Sequence, residues 1–191
     1  MNHIVRLVTA LALSLGMQAL TAPAGYAGEP TLKSVQEKIE KKYPDIAHVG
    51  TKTLDEKLAA GEKIVLFDVR EADEFAVSRI PGAVRVDPGI WSSTFLKRFS
   101  ELAAGTTAVF YCSVGVRSTR LAAAVQSDLL KRGAKSVFNL RGGAFAWHNE
   151  ARQLADDQGA TKFIHPFNET WGRLVDRKHL LRYKPGNTKG N

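Results

Sequence analysis

From about residue 47 the chain alternates short apolar runs with amphipathic stretches, the pattern of an α/β layer built on a largely parallel sheet. Ile64-Val65-Leu66-Phe67 is a continuous apolar run suited to a strand buried on both faces. Ala83 to Val86, Thr107 to Tyr111 and Ser136 to Leu140 repeat the signal, and Ala47 to Val49 supplies a fifth strand. The spacing predicts helices around Phe95 to Ala103, over Thr119 to Arg132 and from Gly143 to Leu154. Thr53-Leu54-Asp55-Glu56 has the form of a capping box, with Gly61 closing the helix it opens. Leu32, Val35, Ile39 and Tyr43 fall near helical spacing before Pro44, which marks residues 28–46 as an N-terminal helical extension.

The first stretch, Met1 to Ala27, reads differently. It carries Arg6, a short apolar run from Leu7 to Leu15 and the small-residue ending Gly25-Tyr26-Ala27, the layout of a secretory signal peptide. Gly16, Gln18 and Pro23 break the run below the roughly 20 residues that a membrane-spanning helix needs. The expectation is a soluble exported protein, periplasmic or secreted, with no stable membrane anchor.

Composition narrows the chemistry. The chain has 191 residues, 44% of them hydrophobic and 24% charged, which suits one folded domain with a sizeable core and excludes a disordered chain. A single cysteine, Cys112, excludes an intramolecular disulfide and any zinc-ribbon or iron–sulfur framework. The five histidines lack metal-ligand spacing, so neither metal nor cofactor is expected. A net charge of +8 favours anionic substrates or an acidic partner. The cations are spread along the chain without a nucleic-acid motif, so nucleic acid is not an expected partner.

The informative segment is Cys112-Ser113-Val114-Gly115-Val116-Arg117-Ser118-Thr119, which joins an apolar strand to an Ala- and Leu-rich helix. At the carboxyl end of a strand, helix amides and the positive dipole end gather anions and favour a thiolate. Four residues separate Cys112 from Arg117, so the loop amides can wrap a small anion while Gly115 permits the turn. Position alone leaves a second reading open, a buried structural cysteine followed by a helix cap at Ser118.

Resemblance separates the two. Asp68-Val69-Arg70-Glu71, Glu74-Phe75, Ile80-Pro81-Gly82-Ala83, the Cys112 to Ser118 loop, and Gly142-Gly143 with Trp147 stand in the order and approximate spacing of a rhodanese domain. Over roughly Ala47 to Leu154 the sequence resembles a single-domain rhodanese, here in an exported form. The resemblance implies a rhodanese-like α/β fold, a five-stranded parallel sheet flanked by helices on both faces. It implies a sulfurtransferase in which Cys112 takes sulfane sulfur from a donor such as thiosulfate, holds it as a persulfide and passes it to a thiol or cyanide-like acceptor.

Ser113, Val114, Gly115, Val116, Arg117 and Ser118 would then bind substrate, with Arg70 as a second anion contact and Asp68 as structural support. The alternative for Asp68 and Arg70 is a structural ion pair with Glu71 or Glu74. Phosphatases on this kind of fold place five residues between cysteine and arginine; the four found here suit a sulfur atom better. Two departures stand out. Ser78-Arg79 replaces the Gly-His common before Ile-Pro-Gly-Ala, and Val114 and Val116 make the loop apolar, which favours a protein thiol or a larger persulfide over thiosulfate. A non-catalytic persulfide carrier or thiol-binding module in the periplasm is the rival function.

The tail over 155–191 lies beyond the resemblance and mixes aromatic with basic residues. Its aromatics are expected to pack on the domain through one short helix near Glu169 to Leu181, or to form a basic docking surface or a lid beside Cys112.

Overall fold

The computed structural model describes residues 29–186, so the Met1 to Ala27 segment lies outside the described residues. Five parallel strands form the central sheet: β1 (Ala47–Val49), β2 (Ile64–Asp68), β3 (Val84–Arg85), β4 (Thr107–Tyr111) and β5 (Ser136–Leu140). Their order is β1-β5-β4-β2-β3, with β4 central and Phe67 opposite Phe110. This is the expected fold class. Alternate residues feed two cores. Val65, Phe67, Ala108 and Phe110 face one, while Leu66, Val109 and Tyr111 face the other.

On the first face lie α4 (Ser92–Ala103) and α5 (Val116–Lys131), which bring Phe95, Phe99, Leu121 and Val125 onto the sheet. Phe67, Phe95, Phe99 and Phe110 form a ring cluster, with Phe67 and Phe110 centroids 5.0 Å apart. The second core takes Val35 and Ile39 from α1 (Leu32–Lys42), Leu54 from α2 (Thr51–Ala59) and Phe145 and Trp147 from α6 (Gly143–Asn149). Trp147 is therefore core, and its ring N–H donates to the Gln153 carbonyl at 2.8 Å.

Several boundaries differ from the sequence expectation for local reasons. The helix α2 starts at Thr51 with Gly50 as its N-cap, so Thr53 lies inside it and caps nothing. The Thr51 hydroxyl is instead taken by Glu150, 2.6 Å away. A six-residue helix, α3 (Ala72–Val77), was not foreseen; its capping box is Glu71 with Glu74. The expected helix to Leu154 stops at Asn149, because Ala151 turns the chain at φ 57°.

Leu154 belongs instead to β6 (Leu154–Asp156), which pairs antiparallel with β7 (Gly159–Thr161). In the tail the single helix predicted between Glu169 and Leu181 is two pieces, α7 (Glu169–Gly172) and a 3-10 turn at Lys178–Leu180. The tail is anchored by Ile164, Leu174 and Val175 in the second core and by an Ile164 to Leu181 bridge. Among the described residues, no helix is long and apolar enough to cross a membrane and no group of three or more acidic, histidine or cysteine side chains could hold a metal.

Candidate active site at Cys112

Strand β4 ends at Tyr111, and α5 begins at Val116, three residues earlier than the spacing predicts. Val116, Arg117 and Ser118 are therefore the first turn of α5, whose amides have no intrahelical acceptors. Gly115 is the N-cap at φ 98°, a conformation that a residue with a Cβ rarely adopts. Its neighbours add a second restriction, since a Cβ there would lie 3.1 Å from the Asn139 amide nitrogen and 3.4 Å from the end of Ile39.

That turn aims the Gly115 N–H at the Cys112 sulfur, 3.2 Å away. Behind the loop, the first amides of α6 take its carbonyls: Ala144 donates to Cys112 O at 2.8 Å and Phe145 to Ser113 O at 2.9 Å. The left-handed Gly142 and Gly143 make this contact possible. A Cβ on Gly143 would stand 2.3 Å from Cys112 O, so this glycine serves close backbone packing.

Cys112 is about 1% exposed and borders a pocket of about 150 Å³ with Ser113, Val114, Val116, Arg117, Phe167 and Trp171. Cys112 also packs in the first core, so it is nearly buried yet borders the pocket. Arg117 is held by Glu74, with Nη1 to Oε2 at 2.8 Å and Nη2 to Oε1 at 2.9 Å, and also donates to Ser113 Oγ at 2.9 Å. Ser113 Oγ donates to the same carboxylate at 2.5 Å, and the Glu71 amide does so at 3.0 Å. Arg117 thus clamps the loop, and its outer side lies 4.7 Å from the Phe167 ring centroid.

Burial alone would raise the Glu74 carboxyl, but hydrogen bonds and charge from Arg117, helped by Ser113, hold it below the ordinary glutamate range. A lowered folded-state value means the pair contributes fully above the unfolded pKa and is lost as pH falls through the folded one. Urea unfolding from neutral to acid pH should therefore show stability declining with acid in the wild type, with a smaller decline in Glu74→Gln. The variant should also lose about 3 kcal/mol at neutral pH, since the partly buried Arg117 loses its partner at a buried carboxylate site. An unchanged acid slope would remove Glu74 from the account.

Two sequence assignments need correction. Arg70 does not border the pocket; it is fully buried, donating to Asp68 through Nε at 2.8 Å and Nη2 at 2.6 Å, and to the Ser78 carbonyl at 2.6 Å. Burial opposes its charge, yet the Asp68 carboxylate outweighs that and raises its pKa. Asp68 does support structure, but its partner is Arg70 itself, while Glu74 serves Arg117. Ser118 also turns away, its hydroxyl donating to Asn139 Oδ1 at 2.6 Å. Gly115 contributes its amide to the sulfur, and Val114 and Val116 supply apolar wall.

The tail residues were not assigned to the site. His165 Nδ1 accepts the Phe167 N–H at 2.9 Å, which holds Phe167 at φ 65°. Burial lowers the His165 pKa, keeping that nitrogen free to accept. Asn168 then caps α7 by accepting the Trp171 N–H at 3.0 Å. These local bonds make Phe167 and Trp171 a lid-like wall of the Cys112 pocket. Only their aromatic composition signalled it; for Glu74, no local pattern marked the pairing with Arg117.

A family model for the rhodanese-like domain matches residues 51–150, a span that contains the loop, Glu74 and Gly143. The chain belongs to the rhodanese-like domain family. A putative sulfurtransferase of Bacillus subtilis is 34% identical over 108 residues, which cover 56% of this chain and 96% of that protein. A sulfurtransferase of Allochromatium vinosum is 29% identical over 114 residues, covering 60% of this chain and 99% of that one. Among solved structures, a protein of Bacillus halodurans aligns at 23% identity with a TM-score of 0.49, covering 72% of this chain and 96% of that one. In this rhodanese-like chain α1 and the Phe167–Trp171 lid both lie outside the matched span.

Proposed function

We propose that this rhodanese-like protein is a sulfurtransferase that carries sulfane sulfur as a persulfide on Cys112. The supporting observation is the sulfur itself, placed at the end of β4, accepting the Gly115 N–H at 3.2 Å and bordering a pocket at the start of α5. With thiosulfate as donor, the Cys112 thiolate attacks the outer sulfur. A new S–S bond forms, the donor S–S bond breaks, and its electron pair leaves on sulfite. Cyanide or a thiolate then attacks the outer sulfur of the persulfide, and the Cys112 thiolate returns. Loop amides and the α5 dipole stabilise the negative terminal sulfur throughout, as fixed dipoles do for a developing anion.

The rival reading is a persulfide carrier without turnover, and the near-complete burial of Cys112, about 1% exposed, favours it. Incubation with thiosulfate followed by intact mass, then cyanide and a thiocyanate assay, separates the two. Gain of one sulfur atom with continuous thiocyanate production supports the enzyme. Gain without turnover supports the carrier, and no gain from thiosulfate or from an organic persulfide removes both.

A further inference from the structure

We propose that the groove beside the Cys112 pocket holds the carboxylate-bearing body of a small organic thiol, the molecule with which Cys112 exchanges its sulfur. The inference rests on the persulfide reading for its chemistry, but the groove stands on its own geometry. About 400 Å³ in volume, it runs between α1 and the start of α5 and shares Val116, Arg117 and Trp171 with the Cys112 pocket. That is the size range of small-ligand sites.

Its lining is divided in kind. Val35, Ile39 and Trp171 supply apolar surface, while Lys38 and Lys42, one turn apart on α1, and Arg120 on α5 supply charge. Among the described residues none of these three cations has a carboxylate within ion-pair distance. Arg120 gives one N–H to the Pro88 carbonyl at 3.2 Å. Arg117, the remaining cation, is committed to Glu74.

The acidic residues of α1 are sorted to its other side. Glu37 and Glu40 face a separate cleft, where Glu40 meets Arg141 at 2.8 Å and Glu37 meets Lys33 at 4.0 Å. One helix therefore turns both its acids away from the groove and Lys38 and Lys42 toward it, Lys42 lying over the Tyr43 ring that also lines it. Such a surface selects an anion with an aliphatic body rather than a bare inorganic anion, which would occupy only the small apolar pocket at the sulfur.

In the exchange, the thiolate of the bound molecule attacks the outer sulfur of the Cys112 persulfide. An S–S bond forms to that molecule, the S–S bond to Cys112 breaks, and its electron pair returns to Cys112 as the thiolate. Nothing is oxidised or reduced overall. The reverse step loads Cys112 from the organic persulfide.

S-methylglutathione tests the site, since it carries two carboxylates on a short peptide and its blocked sulfur cannot accept sulfur. Calorimetry with the intact protein should show saturable binding that weakens about tenfold in Lys38→Ala/Lys42→Ala, the combined effect of two exposed charges, and weakens as salt rises. An uncharged S-methyl thioether such as S-methyl-N-acetylcysteamine should bind both proteins alike. Sulfur transfer to cyanide should be unchanged in the double variant, and KM for glutathione as acceptor should rise with the binding loss. Absence of binding, or equal weakening for both thioethers, overturns the groove. If binding behaves as expected while Cys112 takes up no sulfur, the persulfide reading fails and the groove remains.

Discussion

Cys112→Ser should gain no sulfur from thiosulfate or from an organic persulfide, and transfer to cyanide should fall by at least about four orders of magnitude, as when a covalent nucleophile is removed. The fold should stay. Serine keeps the shape of cysteine, the Gly115 N–H can donate to its oxygen as it does to sulfur, and the two loop carbonyls held by Ala144 and Phe145 belong to the backbone. Burying a hydroxyl in place of the thiol costs about 1–3 kcal/mol, reduced by that hydrogen bond. Intact mass, thiocyanate production and urea unfolding on one preparation separate lost chemistry from lost structure. Sulfur retained on Cys112→Ser would place the chemistry elsewhere and end the proposed function.

The second large effect is expected from a single methyl group. Gly143→Ala must accept φ 59° and a Cβ 2.3 Å from Cys112 O and 2.8 Å from the carbonyl carbon and oxygen of Ser113. All three are backbone atoms, so no side chain can swing aside. Strain at a left-handed residue and forced expansion of a packed contact together cost about 3–5 kcal/mol. Whatever survives must push the loop away from α6, moving the sulfur off the Gly115 N–H. Gly61→Ala is the control: φ is 71°, but nothing lies within 4 Å of the added Cβ, so it should cost only about 1 kcal/mol. Equal losses in the two variants would show that the approach of α6 to the loop does not set the geometry of the site.

The sheet was legible because the central strands β2 and β4 bury both faces and so appear as nearly unbroken apolar runs. The predicted bounds of Thr107 to Tyr111 and Ser136 to Leu140 are those observed. Helix starts were less legible where the cap has no side chain. Gly50 and Gly115 cap α2 and α5 through backbone conformation alone, and a reading that looks for hydroxyl or carboxylate caps moves both starts downstream.

The site shows the same division. Cys112 and its loop are contiguous in sequence, so a reading of the sequence reaches them directly. The pairing of carboxylates with guanidiniums was not legible, because Asp68, Arg70, Glu71 and Glu74 offer several equivalent partners until the strand and α3 fix which carboxylate reaches which cation. In the structure Arg70 is two residues from its partner, whereas Arg117 is 43 from Glu74. Phe167 and Trp171 reach Cys112 by tertiary packing more than 50 residues downstream, which no local pattern encodes.

The lone thiol under the lid sets a limit on how sulfur can depart. With one cysteine in the whole chain, no neighbouring thiol can resolve a loaded Cys112 into a disulfide. Under the proposed function, discharge would wait for an outside molecule that enters the pocket lined by Val116, Phe167 and Trp171. If the proposed persulfide forms, its lifetime would then be governed by the concentration and shape of outside molecules, so it would empty on demand instead of on a timer of its own.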